Sequence, residues 1–518
     1  MKKLISFTVA ILFFAGIAIA QEKVDMQMMQ KIKDEEKNNS QVSMIAHNLL
    51  DVCGSRLTNS PGYNRALDWV TEICNQWGLQ KAGREAWGEF GRGWSNEQAT
   101  LAMREPYYET IIAYPIPWCK STNNSITTEL FMLDALDSAS IDKAGDSLEG
   151  KIVMIKPGTT TIPDAFKAYA VRYADTALNN LPDNYMVTRK QLESYLPYMK
   201  KEYYSTLYLE TKGAVGLVLS NSGSRDGTVF VDGGVGYAKG YQATLPSMKI
   251  SREDYLKMMR LLQDNKKVTL TMDLQNTFYD KDPNGYNVIA EIPGTDPSLK
   301  SELVMLGGHL DSWAGGTGAT DNGAGCIVML EAMRILKTLN IQPRRTIRIA
   351  LWGGEEQAIL GSLGYVKKHF GDPANMQLKP EHSTISAYYN LDNGSGKIRG
   401  IYLQHNEGVR DIFKAWLVPF TDMGATGVTS SNTGGTDHLS FDAVGIPAFQ
   451  FIQDPLEYET RTHHSNMDTY DHLIIEDLQQ AAVLVAAFVY NTAMRTDKLP
   501  RKPLPKPEKF VFDFDFPM

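Results

Sequence analysis

Cysteine is scarce in this chain, with four in 518 residues: Cys53, Cys74, Cys119 and Cys326. No two form a CxxC pair, which argues against a thiolate metal site or a redox dithiol. A Cys53–Cys74 bridge in an oxidising compartment stays open, and Cys326, on an apolar helical face, reads as a small buried hydrophobe. No run beyond residue 20 is long and apolar enough to span a bilayer. Positive charge is not in excess either. There are 60 acidic against 52 basic residues, a net −8, so the chain has no electrostatic footprint for nucleic acid or anionic lipid. It has no fixed-period repeat, which excludes a solenoid. With 43% hydrophobic and 22% charged residues it is an ordinary globular chain. It is also too long for a single core.

The first twenty residues stand apart. Lys2 and Lys3 precede an apolar run from Leu4 to Ile17, and Ala18-Ile19-Ala20 closes it with small residues. This is the pattern of a secretory signal peptide cut after Ala20. The run is shorter than the roughly 20 apolar residues a membrane anchor needs. The expected location is therefore periplasmic or secreted, with no membrane contact after cleavage.

Beyond the leader, a Lys/Glu-rich helical stretch covers Gln21 to Asn38, and Asn64 to Gly78 is an amphipathic helix. Short β runs fill Ala82 to Pro117. Residues 118–286 read as a module of their own. "LEGKIVMIKPG" and "KGAVGLVLSNSG" are strands stopped by Gly, and Ser251 caps the helix in "KISREDYLKMMRLL". A Tyr-rich helical insert, Asp164 to Thr211, lies between those two strands. From Asn287, apolar strands alternate with helices, which implies an α/β fold with a mainly parallel mixed sheet and helices on both faces. The tail, 497–518, is Lys/Pro-rich and then alternates Phe with Val and Asp, a pattern that can dock as a strand.

The polar residues fall where such a sheet keeps its sites, beyond the carboxyl ends of strands. Leu303 to Leu306 is a buried-strand run that stops at Gly307-Gly308, and His309, Asp311 and Asp321 follow around a Gly-rich loop. Residues i and i+2 of a strand point the same way, so Asp311 is placed to accept from the His309 nitrogen not used on a metal. Asp321 is either a turn residue or a carboxylate with two oxygens to share between ions. Glu355 and Glu356 follow the strand "TIRIALW" and point oppositely in extended chain. One can ligate while the other faces an attacking water as general base. Asp392 ends a further apolar strand, and His464 lies in "HHSNMDT". Two His and three carboxylates make an oxygen-rich set suited to Zn²⁺, with Mn²⁺ or Co²⁺ the alternatives.

The motifs "GGHLDSW…GATDNGAG", "LWGGEEQ", "NLDNG", "GGTDHLSFDAVGIPAF" and "HHSNMDT" together resemble the M28 family of zinc peptidases, and within it the carboxypeptidase Q branch. The likeness runs from about Ser43 to Met494. It implies that His309, Asp321, Glu356, Asp392 and His464 bind two zinc ions, with Asp321 bridging them and Glu355 as base. It also implies a peptidase domain in two parts, 21–117 and 287–496, with 118–286 a protease-associated domain inserted between them. His463, where many members carry a Tyr, is the candidate oxyanion donor, and Asp437 and His438 match a segment near the pocket without ligating. The implied activity is an exported metallo-exopeptidase acting on dipeptides or on the N-terminal residue of short peptides. A homodimer is suggested too, and Arg461 is a candidate for holding a substrate carboxylate. The rivals are a glutaminyl-cyclase-like acyltransferase with one zinc and a non-catalytic binding module on the same fold.

Overall fold

The computed structural model describes residues 22–161, 167–194 and 196–511, so the expected leader at 1–20 lies outside the described residues. Two eight-stranded sheets organise the chain. The strands of the first are β1 (Gln80–Glu89), β2 (Asn284–Ile292), β3 (Leu303–His309), β4 (Thr346–Trp352), β5 (Ile385–Asn390), β6 (Ile398–Tyr402), β7 (Gly427–Thr429) and β8 (Ala448–Gln453). They lie in the order β1-β2-β4-β3-β5-β8-β6-β7. The centre, β4-β3-β5-β8, is parallel throughout. β1, β2 and β6 add antiparallel pairings.

β3 is buried along its whole length because helices cover both faces. One face carries the helices Ala324–Thr338 and Ile475–Met494, which pack with Met26–Asn39 and Pro61–Gln76 into the largest apolar cluster. The other face carries Leu360–His369 and His438–Asp442. Helix starts follow their caps. The Ser60 side chain accepts from Tyr63 N ahead of Pro61, and the Ser251 side chain accepts from Asp254 N. No helix among the described residues is long and apolar enough to cross a membrane. All four cysteines are buried free thiols, so Cys53 and Cys74 are not bridged.

The second sheet differs from the expected module boundary at 118. It includes Gly93–Glu105, which pairs antiparallel with Thr269–Tyr279. The chain thus leaves the first sheet after Glu89 and rejoins it at Asn284. An alternating strand pattern does not say which partner a strand will take.

The insert after Ile152–Ile155 contains the helices Asp175–Asn179, Arg189–Glu193 and Leu196–Thr211. Before the last of these it runs as a strap over the catalytic sheet. Val171 bridges Leu456, Tyr173 N donates to Asp454 at 2.9 Å, and Val187 N donates to Asn432 Oδ1 at 2.6 Å. The tail docks without forming a strand among the described residues. Arg501 donates to the carbonyls of His382 and Ile385, and Lys502 Nζ donates to Gln404 O at 2.7 Å. The Phe/Asp alternation from Phe512 onward lies outside the described residues.

Candidate metal centre

The site is assembled from the carboxyl ends of β3, β4 and β5 and from the loop after β8. His309 closes β3. Its Nδ1 lies 3.0 Å from the main-chain oxygen of Asp311. A carbonyl can only accept, so Nδ1 carries the proton and Nε2 keeps its lone pair for the cavity. The imidazole is therefore oriented by backbone, and the Asp311 carboxylate stands off at 3.7 Å. That carboxylate does a different job from the one its i, i+2 spacing implied. It accepts from Thr58 Oγ1 at 3.0 Å and from the N–H groups of Glu355 and Glu356 at 3.2 and 3.3 Å. Asp311 thereby fixes the turn that presents both glutamates. Gly354, at φ +69°, gives that turn its left-handed residue.

Asp321 follows the Gly-rich loop. Its Oδ1 lies 3.3 Å from His309 Nε2, and its Oδ2 lies 3.1 Å from His464 Nε2. Asp392, after β5, brings Oδ1 to 3.4 Å from His309 Nε2, and Glu356 brings Oε2 to 3.0 Å from His464 Nε2. Two candidate ligand groups therefore share Asp321: His309 with Asp392 on one side, and the His463–His464 pair on the other. Glu355 stands behind, with Oε2 4.0 Å from His309 Nε2.

His463 lies beside this set, its Nε2 3.7 Å from Asp321 Oδ2. Its ring packs at a tilt against those of His464 and Tyr458, with centroids 3.8 and 4.7 Å apart. Asp437 is fully buried behind Glu355 and Asp392, and burial pushes its carboxyl up to about 8. His438 Nε2 lies 2.9 Å from Gln404 Nε2.

The electrostatics point to a cation. Burial and the neighbouring Asp321 push Glu356 up to about 8. Burial, joined by Asp392, Asp437 and Glu356, pushes Glu355 well above the carboxylate range despite His309. Burial disfavours a charged His309, yet Asp392 and Glu355 drive its pKa well above that of a free imidazole. Asp321 Oδ2, Glu356 Oε1 and Asp392 Oδ1 are buried and make no hydrogen bond. Carboxylates buried this close repel one another unless cations or shared protons offset them. Buried lone pairs aimed at a common space, with imidazole nitrogens among them, suit divalent cations. These residues fit a metal pair.

Three supporting residues had no sequence signal. Asp468 Oδ1 accepts from Thr320 N and Oγ1 at 2.6 and 2.8 Å, and its Oδ2 accepts from Asp321 N at 3.1 Å. Arg56, fully buried, donates to the carbonyls of Leu310, Thr317 and Gly318 and so staples the loop after β3. Asn322 joins that loop to β5 through Leu391 O at 2.8 Å. Asn322 and Asp468 sit inside motifs quoted above, but only their partners reveal what they do.

The site opens into a cavity of about 990 Å³. Its lining includes Trp313, Tyr458, Asp321, Glu356, Asp392 and His464, together with Glu202, Tyr203, Asp232 and Lys249 of the second-sheet segment. Arg461 does not line it. Its guanidinium lies 4.9 Å from the Tyr169 ring and 3.6 Å from Glu457. Arg461→Ala is accordingly expected to leave KM for dipeptides unchanged, and a raised KM in steady-state assays would show that the guanidinium turns to the substrate.

Residues 287–489 match the family model described as Peptidase family M28. Carboxypeptidase Q of Mus musculus is 30% identical over 257 residues, half of this chain and 52% of that protein. Over that alignment the chain spans about half the length of its relative. Carboxypeptidase Q of Homo sapiens is 24% identical over 508 residues, 94% of this chain and 96% of that protein. A solved Peptidase M28 precursor from Shewanella amazonensis shares the fold, with a TM-score of 0.68 at 24% identity over 93% of this chain and 98% of that one.

Proposed function

On the premise that this chain is a metallopeptidase of family M28, we propose that it is an exported exopeptidase. It takes two Zn²⁺ per chain and hydrolyses dipeptides or the N-terminal residue of short peptides. The observation that carries the two-metal reading is Asp321. Its two oxygens face two different partners, His309 and His464, at 3.3 and 3.1 Å. His309, Asp392 and Asp321 would hold one ion, and Asp321, Glu356 and His464 the other. Bound there, the pair would polarise the scissile carbonyl and lower the pKa of the attacking water.

The chain's own residues divide the remaining work. Glu355 takes the water proton at its carboxylate and delivers it to the leaving amine. Asp311 holds Glu355 and Glu356 by their main-chain N–H groups, which spares the base any reorganisation during the reaction. His463, beside Asp321, donates from Nε2 to the oxyanion. Burial and the neighbouring His464 lower its pKa, so it acts as a neutral donor. The cavity volume, at the top of the roughly 300–1,000 Å³ range of small-molecule sites, favours dipeptides and short peptides over folded protein.

Metal analysis combined with a substrate panel tests this reading. Two zinc ions per chain are expected, with hydrolysis of dipeptides and aminoacyl reporters, no turnover of N-blocked peptides, and full loss of activity on chelation. One ion per chain with cyclisation of N-terminal glutamine would replace the reading by an acyltransferase. Two ions without hydrolysis of any peptide would replace it by a binding module.

A further inference from the structure

Asp232 belongs to the second-sheet segment, yet it faces the metal centre. His464 turns Nε2 toward Asp321 and Glu356, at 3.1 and 3.0 Å. Its Nδ1 faces Asp232 Oδ2 at 3.9 Å, longer than a hydrogen bond, so with no main-chain oxygen among the described residues taking that nitrogen the carboxylate acts on the ring through its charge. A ligating imidazole presents a lone pair at one nitrogen only if the other carries the proton, and a carboxylate facing that proton selects the tautomer and steadies the ring.

Asp232 is itself held. The ammonium of Lys249 ion-pairs with its other oxygen, Oδ1, and Lys249 sits on the buried strand Ser247–Ile250 of the second sheet. The backbones are clamped in the same place. Val231 N donates to His464 O at 2.6 Å, and Phe230 bridges Ser465. Val229 N donates to Asn466 Oδ1 at 2.7 Å, and Asn466 N donates to Val229 O at 3.0 Å. His464 has φ +58°, a left-handed conformation that a non-glycine residue keeps only when its surroundings impose it. The surroundings here are the stretch Val229–Asp232.

We propose that Asp232 is a positioning residue through which the inserted segment completes the metal centre: it holds His464 in the Nδ1-protonated tautomer, aimed at the second ion. The inserted segment is then part of the metal site as well as a cavity wall. The proposal rests on the two-metal reading above.

Titration of the metal-free full chain with Co²⁺, followed by visible absorption and by metal analysis, tests it. Asp232→Ala should weaken the ion on the His464 side by about 10- to 100-fold, alter its absorption bands, and leave the His309-side ion at wild-type affinity. Asp232→Asn, which keeps an acceptor without charge, should fall between. The double variant Asp232→Ala/Lys249→Ala removes both charges and should keep the defect. If it regains wild-type affinity, the effect is repulsion by an unpaired Lys249, and the positioning role is overturned. Wild-type affinity for both ions in Asp232→Ala would overturn it as well. Should Asp232→Ala fail to fold, Asp232→Asn decides, because it preserves shape: full affinity and unchanged bands overturn the proposal. Failure of the two-metal reading looks different, since the wild-type chain itself would then take up fewer than two ions.

Discussion

Glu355→Gln is expected to lower kcat by about 100- to 10,000-fold, the range that a lost general base costs, while the protein still binds two ions. Gln has the size and shape of Glu and can still accept a hydrogen bond, but it cannot take up a proton. The turn it occupies is held through its main-chain N–H by Asp311 at 3.2 Å, so backbone placement should survive. His309 Nε2 lies 4.0 Å from the carboxylate, too far for a direct hydrogen bond that would occupy the base. Burial and the surrounding acids raise its pKa in the metal-free chain, and cations at the site would pull it back down. The acidic limb of the kcat/KM profile should then report Glu355 and should vanish in the variant. Kinetics paired with metal analysis distinguishes the outcomes. Wild-type turnover in the Gln variant would move the base elsewhere, and loss of an ion would make Glu355 a ligand.

Asp321→Asn should have the second large effect, weakening both ions at once. Asn keeps the volume and the main-chain bond to Asp468 at 3.1 Å, but it offers one carbonyl oxygen and no charge in place of a bidentate carboxylate. Asp392→Asn and Glu356→Gln, each touching one imidazole, should each weaken a single ion. This contrast is the signature of a bridge: one variant disturbs two sites, and two variants disturb one each. Calorimetric titration of the metal-free proteins reads it directly, and thermal melts of the metal-free forms, expected to be similar, exclude a folding defect. If Asp321→Asn bound one ion at wild-type affinity, Asp321 would be a terminal ligand and the pair would lack its bridge.

Much of the region from Asn287 onward is legible in the sequence. The run Leu303 to Leu306 is uniformly apolar because β3 is buried on both faces. The helix after Asp321 shows as apolar period because it lies in the largest core cluster. Polar residues at strand ends stand out against such runs, and His309, Asp321, Glu355, Glu356 and Asp392 do so here. Asp311 stands out by its spacing from His309, but its carboxylate serves the glutamate turn instead. Its i, i+2 spacing from His309 is correct, but the imidazole found the nearer main-chain oxygen, and the carboxylate went to three donors from two other segments. The second sheet shows the same limit, since Gly93–Glu105 and Gln80–Glu89 read alike as strands and went to different sheets.

The sequence by itself determined the element types, the alternation that makes an α/β sheet, and the donor chemistry of the strand ends, because local periodicity and residue type carry that information. Tertiary structure decided which donors converge. It set the two oxygens of Asp321 between His309 and His464, put Arg56 and Asp468 against the loop that carries Asp321, and brought Asp232 to His464 from a loop of the inserted segment. Such contacts join residues far apart in the chain, and their energies depend on distance and burial, which chain order does not encode.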